Sequence, residues 1–168
     1  NINKIDTLKY SSLDSLPILF PVKFTDFKYI SSDYGMRIHP ILNIYLRHKG
    51  IDIVSNNLTE IHSTGIGIVE KASYTNCGYG NEVIINHGNG YKTRYAHLSK
   101  IYVKEGDIVN PNNVLGIIGR TGLTTGIHLH YEIIKDGKDI DPLFITYSNI
   151  KERSIDKYLN TMITLELS

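Results

Sequence analysis

The residues best suited to chemistry are histidines and one carboxylate, and they fall in three places along the chain. His48 and Asp52 are four positions apart, His97 stands alone further on, and His128 and His130 are two apart. Imidazole nitrogens and carboxylate oxygens form a mixed ligand set that suits zinc, and three such ligands leave a fourth position open for water. The remaining histidines are available as proton carriers. The combination therefore predicts a catalytic metal site.

The spacing of these residues indicates how they could converge. Residues two apart on a strand project to the same face, so His128 and His130 would point into one space. The separation of His48 and Asp52 is also even, and an extended stretch would place both on one side. A lone histidine is more often a surface or hydrogen-bonded core residue, but a set of ligand types on an apolar strand background argues for a site, because unpaired buried polar groups are costly. Spacing does not choose between His128 and His130 as the metal ligand.

The candidate residues lie in or next to short segments rich in β-branched residues, which are separated by Gly, Asn and Pro. This pattern predicts an all-β domain. Asn89 and Gly90 lie between two of the runs, and Asn-Gly is the favoured chemistry for a tight hairpin whose central residues both need positive φ. The predicted strands cover residues 51–54, 65–72, 82–87, 91–98, 114–118 and 129–135.

The two ends of the chain carry weaker patterns. Residues 1–30 contain Pro17 and Pro21, which break any helix, together with apolar residues that favour packing on the domain. We interpret them as an arm, either a cover over the site or a brace remote from it. Residues 146–168 are interpreted as a C-terminal extension, in which helical and strand periodicities compete.

Bulk composition limits the classes of function. The chain of 168 residues allows one domain with a real core, and its 41% hydrophobic and 21% charged residues are ordinary for a globular protein. A net charge of +1 without a Lys/Arg run argues against a nucleic-acid partner. The single cysteine, Cys77, excludes a disulfide within the chain. No apolar stretch approaches the ~20 residues of a membrane span, and Asn1 in place of Met is compatible with a removed export signal.

The order of the motifs resembles the lysostaphin/LytM-type zinc metallopeptidases, which cut peptide cross-links in bacterial peptidoglycan. Three motifs carry the likeness: His-x-x-x-Asp at 48–52, Tyr-Ala-His-Leu-Ser at 95–99 and His-x-His at 128–130. Connecting segments at 35–40, 80–91 and 121–126 match as well. The likeness covers residues 31–145, which we take as the peptidase domain.

The resemblance implies a site and a fold. His48, Asp52 and His130 would hold Zn²⁺, while His97 and His128 would stay unbound as catalytic residues in the cleft. The fold would be a mostly antiparallel β domain with an open groove and barrel-sandwich-like hairpins. Two neutral imidazoles and one carboxylate leave the zinc a net positive charge, which lowers the pKa of bound water towards ~7. The two free histidines suit proton transfer or oxyanion stabilisation, in an order that the sequence leaves open.

The implied function is zinc-dependent endopeptidase activity on peptidoglycan peptides, in a protein exported to the periplasm or cell envelope. The bond that is cut and the oligomeric state stay open.

Other residues receive weaker predictions. Glu132 shares a strand face with His130 and is either a partner of that histidine or a solvated strand carboxylate. Through the likeness, Arg37 and His39 are expected to border the groove; the alternative is a loop held by Pro40. Four tyrosines could line it or pack in the core or rim, namely Tyr34, Tyr45, Tyr79 and Tyr95. His62 and His87 are interpreted as structural.

Three alternatives compete with an enzyme. Degenerate members of the family lose metal ligands and activate other cell-wall hydrolases, but all five expected positions are filled here. Residues 103–109 and 114–118 look like the hairpin of lipoyl and biotinyl carrier domains, yet neither Met-Lys-Met nor Asp-Lys-Ala supplies an acceptor lysine. A structural zinc site would normally use four protein ligands.

Overall fold

The computed structural model describes residues 16–145 except 40, 42 and 112. Within these residues the chain forms thirteen strands and a single helical turn at 142–145. The strands are β1 (Phe27–Ser32), β2 (Gly35–Ile38), β3 (Tyr45–His48), β4 (Ile51–Ser55), β5 (Glu60–His62), β6 (Gly67–Ser73), β7 (Glu82–Gly88), β8 (Tyr91–Ala96), β9 (Lys100–Ile101), β10 (Ile108–Val109), β11 (Val114–Ile117), β12 (Leu129–Lys135) and β13 (Lys138–Ile140). The predicted all-β class is confirmed.

These strands form three sheets. The largest has the order β1-β4-β12-β8-β7-β6-β10, with β13 paired to β12 at one side. A three-stranded sheet has the order β5-β11-β9, and β2 and β3 form a separate hairpin. All the pairs between these strands are antiparallel, as predicted. The largest sheet stays open, with β1 and β10 as its edges.

The six predicted strands are all present, as β4, β6, β7, β8, β11 and β12. The β7–β8 hairpin turns at Asn89 and Gly90, whose φ angles are +48° and +76°, as the Asn-Gly chemistry requires. Strand β8 ends at Ala96, two residues before the predicted end, because His97 adopts φ +63° and leaves the strand. The strands that sequence did not predict are mostly short.

One apolar core joins the large sheet to the three-stranded sheet. Its members are buried side chains from both, including Ile53, Ile85 and Leu129 from the large sheet and Ile61 and Leu115 from the smaller one. Their removal from water stabilises the packing of the sheets at ~25 cal/mol per Å² of apolar area. The core therefore fixes the ends of β4, β8 and β12 relative to one another.

The described part of the predicted N-terminal arm packs on the domain. The amide of Leu19 donates to the carbonyl of Thr64 at 3.2 Å, and the amide of His62 donates to the carbonyl of Pro21 at 2.9 Å. Val22 is part of the core. Strand β1 starts within the segment assigned to the arm and pairs with β4. Residues 1–15 and the predicted extension 146–168 lie outside the described residues.

Among the described residues, no helix has the length and apolar character needed to cross a bilayer.

Candidate metal centre

Three strands bring His48, Asp52 and His130 together. His48 is the last residue of β3, Asp52 lies near the start of β4, and His130 lies near the start of β12. The register between β12 and β4 places His130 directly opposite Asp52. His48 and Asp52 therefore come from two strands on either side of a bend, and the single extended stretch expected from their even spacing does not occur.

The three ligand atoms form a small triangle. His48 Nε2 lies 3.1 Å from Asp52 Oδ1 and 3.0 Å from His130 Nδ1, and His130 Nδ1 lies 2.8 Å from Asp52 Oδ1. All three side chains are nearly buried. Ligand atoms around a tetrahedral zinc ion are separated by about 3.3 Å. The triangle is therefore close to the size that such an ion needs.

The outer nitrogens of the two histidines fix where their protons lie. His48 Nδ1 is 2.8 Å from the carbonyl oxygen of Asp33, which can only accept a hydrogen bond. His130 Nε2 is 3.0 Å from Glu132 Oε1. With these protons facing outward, a neutral ring at each position turns a lone pair toward Asp52. Three lone-pair atoms at this separation repel one another unless a cation lies between them, and the donor set fits zinc.

The pKa shifts agree that the triangle attracts positive charge. Burial acts to raise the pKa of Asp52, but hydrogen bonds from His130 and His48 outweigh it and hold that pKa far below its ordinary value. Burial acts to lower the pKa of His130, but hydrogen bonds to Asp52 and Glu132 raise it overall. The contacts that favour a proton at this position also suit a metal cation.

His97 and His128 lie beside the triangle and are anchored through Nδ1. In His97 this atom donates to the carbonyl of Thr121 at 2.8 Å. In His128 it lies 3.0 Å from the carbonyl oxygen of Gly126. The ring centroids are 4.8 Å apart. In the neutral form, Nε2 of each ring is therefore available to accept a proton. Nε2 of His128 lies 3.6 Å from Asp52 Oδ1.

Burial sets the protonation of these two histidines. It lowers the pKa of His97 to about 4 and also lowers the pKa of His128. Both rings are consequently neutral at pH 7. The arrangement can take up a proton at either Nε2, beside the triangle that suits a cation.

These five residues line a groove with a volume of about 570 Å³. Arg37 and His39 border it as expected, and Arg37 Nη2 lies 3.4 Å from Asp52 Oδ2. The full lining is Ser31, Ser32, Arg37, Ile38, His39, Ile41, Leu46, Arg47, His48, Lys49, Asp52, Gly78, Tyr79, His97, Leu123, Thr124, Thr125, His128 and His130. No residue of the described segment 16–30 is among them, so that part of the arm does not cover the groove.

The predicted tyrosines separate into different roles. Tyr79 lines the groove. Tyr95 is wholly buried in the core, and Tyr45 is exposed on β3. Tyr34 donates its hydroxyl proton to the carbonyl of Asp139 at 2.8 Å. His87 is buried away from the groove, where it contacts Thr93.

Glu132 is a buried partner of His130, and it is not a solvated carboxylate. Arg94, which sequence reasoning missed, pairs with it at 2.7 Å. The two residues lie opposite each other in the β8–β12 ladder. The opposite charges on two predicted strands were a signal that the sequence offers. The sequence does not show that these two strands pair, because they are far apart along the chain.

The sequence model of one protein family, peptidase family M23, matches residues 46–142 of the chain. The chain is 38% identical over 128 residues to the DD-carboxypeptidase/endopeptidase Mpg of Neisseria meningitidis serogroup B, covering 76% of this chain and 29% of that protein. It is 41% identical over 133 residues to the peptidoglycan DD-endopeptidase ShyA of Vibrio cholerae, covering 77% of this chain and 30% of that protein. The chain thus spans less than a third of the length of these relatives.

Solved structures show the same fold. A zinc containing peptidase from Vibrio cholerae has a TM-score of 0.67 at 34% identity, over 73% of this chain and 38% of that one. The catalytic domain of lysostaphin from Staphylococcus simulans has a TM-score of 0.62 at 29% identity, over 70% and 91%. A chain in the SpoIIQ-SpoIIIAH pore forming complex has a TM-score of 0.68 at 26% identity, over 81% and 96%.

Proposed function

Because the chain belongs to peptidase family M23, we propose that it is a zinc-dependent endopeptidase that hydrolyses peptide cross-links of bacterial peptidoglycan. One observation carries the proposal. Three ligand atoms of His48, Asp52 and His130, all within 4.8 Å of one another, share a groove with the two neutral histidines His97 and His128. Relatives named as peptidoglycan DD-endopeptidases support the substrate class.

The ligand triangle would hold the metal. We assign Zn²⁺ to His48 Nε2, Asp52 Oδ1 and His130 Nδ1, which leave a side open toward the groove. When bound, zinc supplies Lewis acidity, which polarises a peptide carbonyl and favours deprotonation of water. Burial of the triangle strengthens this effect because charges interact more strongly away from water.

The two neutral histidines would carry the proton. His97 and His128 each present Nε2 as an acceptor while Nδ1 donates to the backbone, so each ring has one fixed orientation. One Nε2 would remove a proton from the attacking water. The protonated ring would donate a hydrogen bond to the oxyanion and then deliver the same proton to the leaving amine. Because both rings lie beside the triangle, either His97 or His128 can be the one that takes the proton.

An inactive regulatory module is the second candidate. The likeness to a chain of the SpoIIQ-SpoIIIAH pore forming complex favours it, because that chain is part of an assembly. The complete set of ligands and proton carriers in one groove favours the enzyme. We further propose export to the periplasm or cell envelope, where the proposed substrate lies.

The test is hydrolysis of purified peptidoglycan by the zinc-loaded protein, with released peptides identified by mass spectrometry. Asp52→Ala should lose zinc, measured by metal analysis, because it removes the one carboxylate of the triangle. His97→Ala and His128→Ala should keep zinc and lose ~100 to 10,000-fold in turnover. Glu70→Ala is the matched control, since this carboxylate is exposed and remote from the groove.

Two outcomes would overturn the proposal. Full zinc occupancy in Asp52→Ala would mean that the ligands are wrongly assigned. Zinc-loaded wild-type protein that releases no peptide from peptidoglycan would favour the regulatory module.

A further inference from the structure

A line of alternating charge runs from the metal centre across the large sheet. His130 Nε2 lies 3.0 Å from Glu132 Oε1, and Arg94 Nη1 lies 2.7 Å from Glu132 Oε2. Arg94 Nε lies 3.0 Å from Glu82 Oε2, and Lys71 Nζ lies 2.6 Å from Glu82 Oε1. The line thus passes from β12 through β8 and β7 to β6, where Lys71 is half exposed.

Glu132 is surrounded by hydrogen-bond donors. Its Oε1 atom accepts from the hydroxyl of Tyr79 at 2.7 Å and faces His130 Nε2, while its Oε2 atom accepts from Arg94. The side chain is 1% exposed. A buried ion pair of this kind is weak evidence for stability, since apolar residues of similar size often pack as well or better. The geometry of the pair instead suits a role in orienting the groups that it contacts.

We propose that Glu132 is a positioning residue that holds the proton of His130 on Nε2, so that the Nδ1 lone pair points into the metal centre, and that Arg94 and Tyr79 keep Glu132 in this orientation. The inference rests on the proposed zinc site. A carboxylate can only accept, so it admits one neutral tautomer of the histidine that it faces. The ring orientation and the tautomer of the ligand are then set by one contact.

Arg94 is suited to this task in a way that lysine is not. Its guanidinium bridges two carboxylates and stacks over the ring of Tyr79, with its central carbon 4.1 Å from the ring centroid. A planar fork makes these contacts simultaneously, whereas an ammonium group makes them as a point charge. Tyr79 also lines the groove, so the same contact ties a groove wall to a metal ligand.

Glu132→Gln tests the proposal with a side chain of the same shape. An amide that keeps its oxygen toward His130 turns its NH₂ group toward Arg94, and the two donors repel. An amide that turns round instead donates to His130 Nε2 and moves the ring proton to Nδ1, which then cannot bind metal. We expect zinc affinity to fall ~10 to 100-fold.

The measurement is the zinc Kd of the full chain, obtained by competition with a chromophoric chelator after metal removal. The absorption spectrum of the Co²⁺-substituted protein reports the ligand geometry independently of any activity. Tyr79→Phe and Arg94→Lys should weaken zinc binding less than Glu132→Gln and should perturb the Co²⁺ spectrum in the same sense. Lys92→Met is the matched control. Lys92 lies on the same strand as Arg94, and its substitution breaks an exposed ion pair with Glu70.

A folded Glu132→Gln protein with a zinc Kd within twofold of wild type would overturn the inference. If that variant does not fold, Tyr79→Phe decides, and unchanged zinc affinity and an unchanged Co²⁺ spectrum would overturn it equally. Because the readout is metal binding, absence of peptidoglycan hydrolysis would count against the proposed function and leave this inference standing.

Discussion

Gly50→Ala should damage the proposed metal centre without touching any of its proposed ligands. A Cβ atom at Gly50 would lie 2.1 Å from the carbonyl oxygen of Tyr131 and 2.9 Å from Cγ of Glu132. Ordinary non-bonded contacts begin near ~3.5 Å, so the bend between β3 and β4 must move away from β12 by about 1 Å. The bend carries His48 and β12 carries His130, so the ligand triangle opens by a similar amount.

Overpacking of this kind costs about 1 to 3 kcal/mol of folding stability, and a displacement of about 1 Å in a reacting site costs about 100-fold in rate. We therefore expect Gly50→Ala to lower the urea midpoint, to weaken zinc binding and to slow peptidoglycan hydrolysis, measured on one preparation. Gly126→Ala is the control, since a Cβ there meets nothing within 4 Å although Gly126 also lies near the site. Wild-type zinc affinity and hydrolysis in Gly50→Ala would refute the steric reasoning.

Two further predictions concern the core. Burial lowers the folded pKa of His87 to about 4 from its ordinary 6.5, so His87 contributes about 3 kcal/mol of stability that is present above pH 6.5 and lost as pH falls to 4. Urea unfolding at pH 7 and pH 4.5 should show a smaller pH effect in His87→Gln than in wild type, and equal effects would contradict the assignment. Thr64→Val removes a hydroxyl 2.9 Å from the hydroxyls of both Tyr95 and Tyr131, and should cost about 1 to 3 kcal/mol in urea unfolding at pH 7. A loss below about 0.5 kcal/mol would mean that these tyrosines find other partners.

Local chemistry explains why the central strands were predictable from sequence. Strands β4, β7, β8 and β12 are rich in β-branched or aromatic residues, and the Asn89-Gly90 turn carries its own φ requirement. Strands β9 and β10 have two residues each, which is too short for a periodic signal. Strand β1 was hidden for another reason, because its exposed edge carries no regular alternation of apolar residues.

The candidate site was predictable in its residue types and only partly in its geometry. The even spacing of His48 and Asp52 suggested one extended stretch, whereas Gly50 permits a bend that sequence periodicity cannot express. The assignment of His130 over His128 came from family likeness, and His130 is the one that shares the triangle in the structure. The contact between Glu132 and Arg94 depends on strand pairing across 38 residues, which no local pattern encodes.

The separation of the chemical groups from the apolar core has an evolutionary consequence. None of the five site residues belongs to the cluster of buried apolar side chains, and each lies at a strand end, a bend or a loop. A substitution there removes chemistry without opening a cavity between the sheets. After gene duplication, a copy can therefore lose the proposed hydrolytic activity while its scaffold still folds, and it stays available for selection in a non-catalytic role.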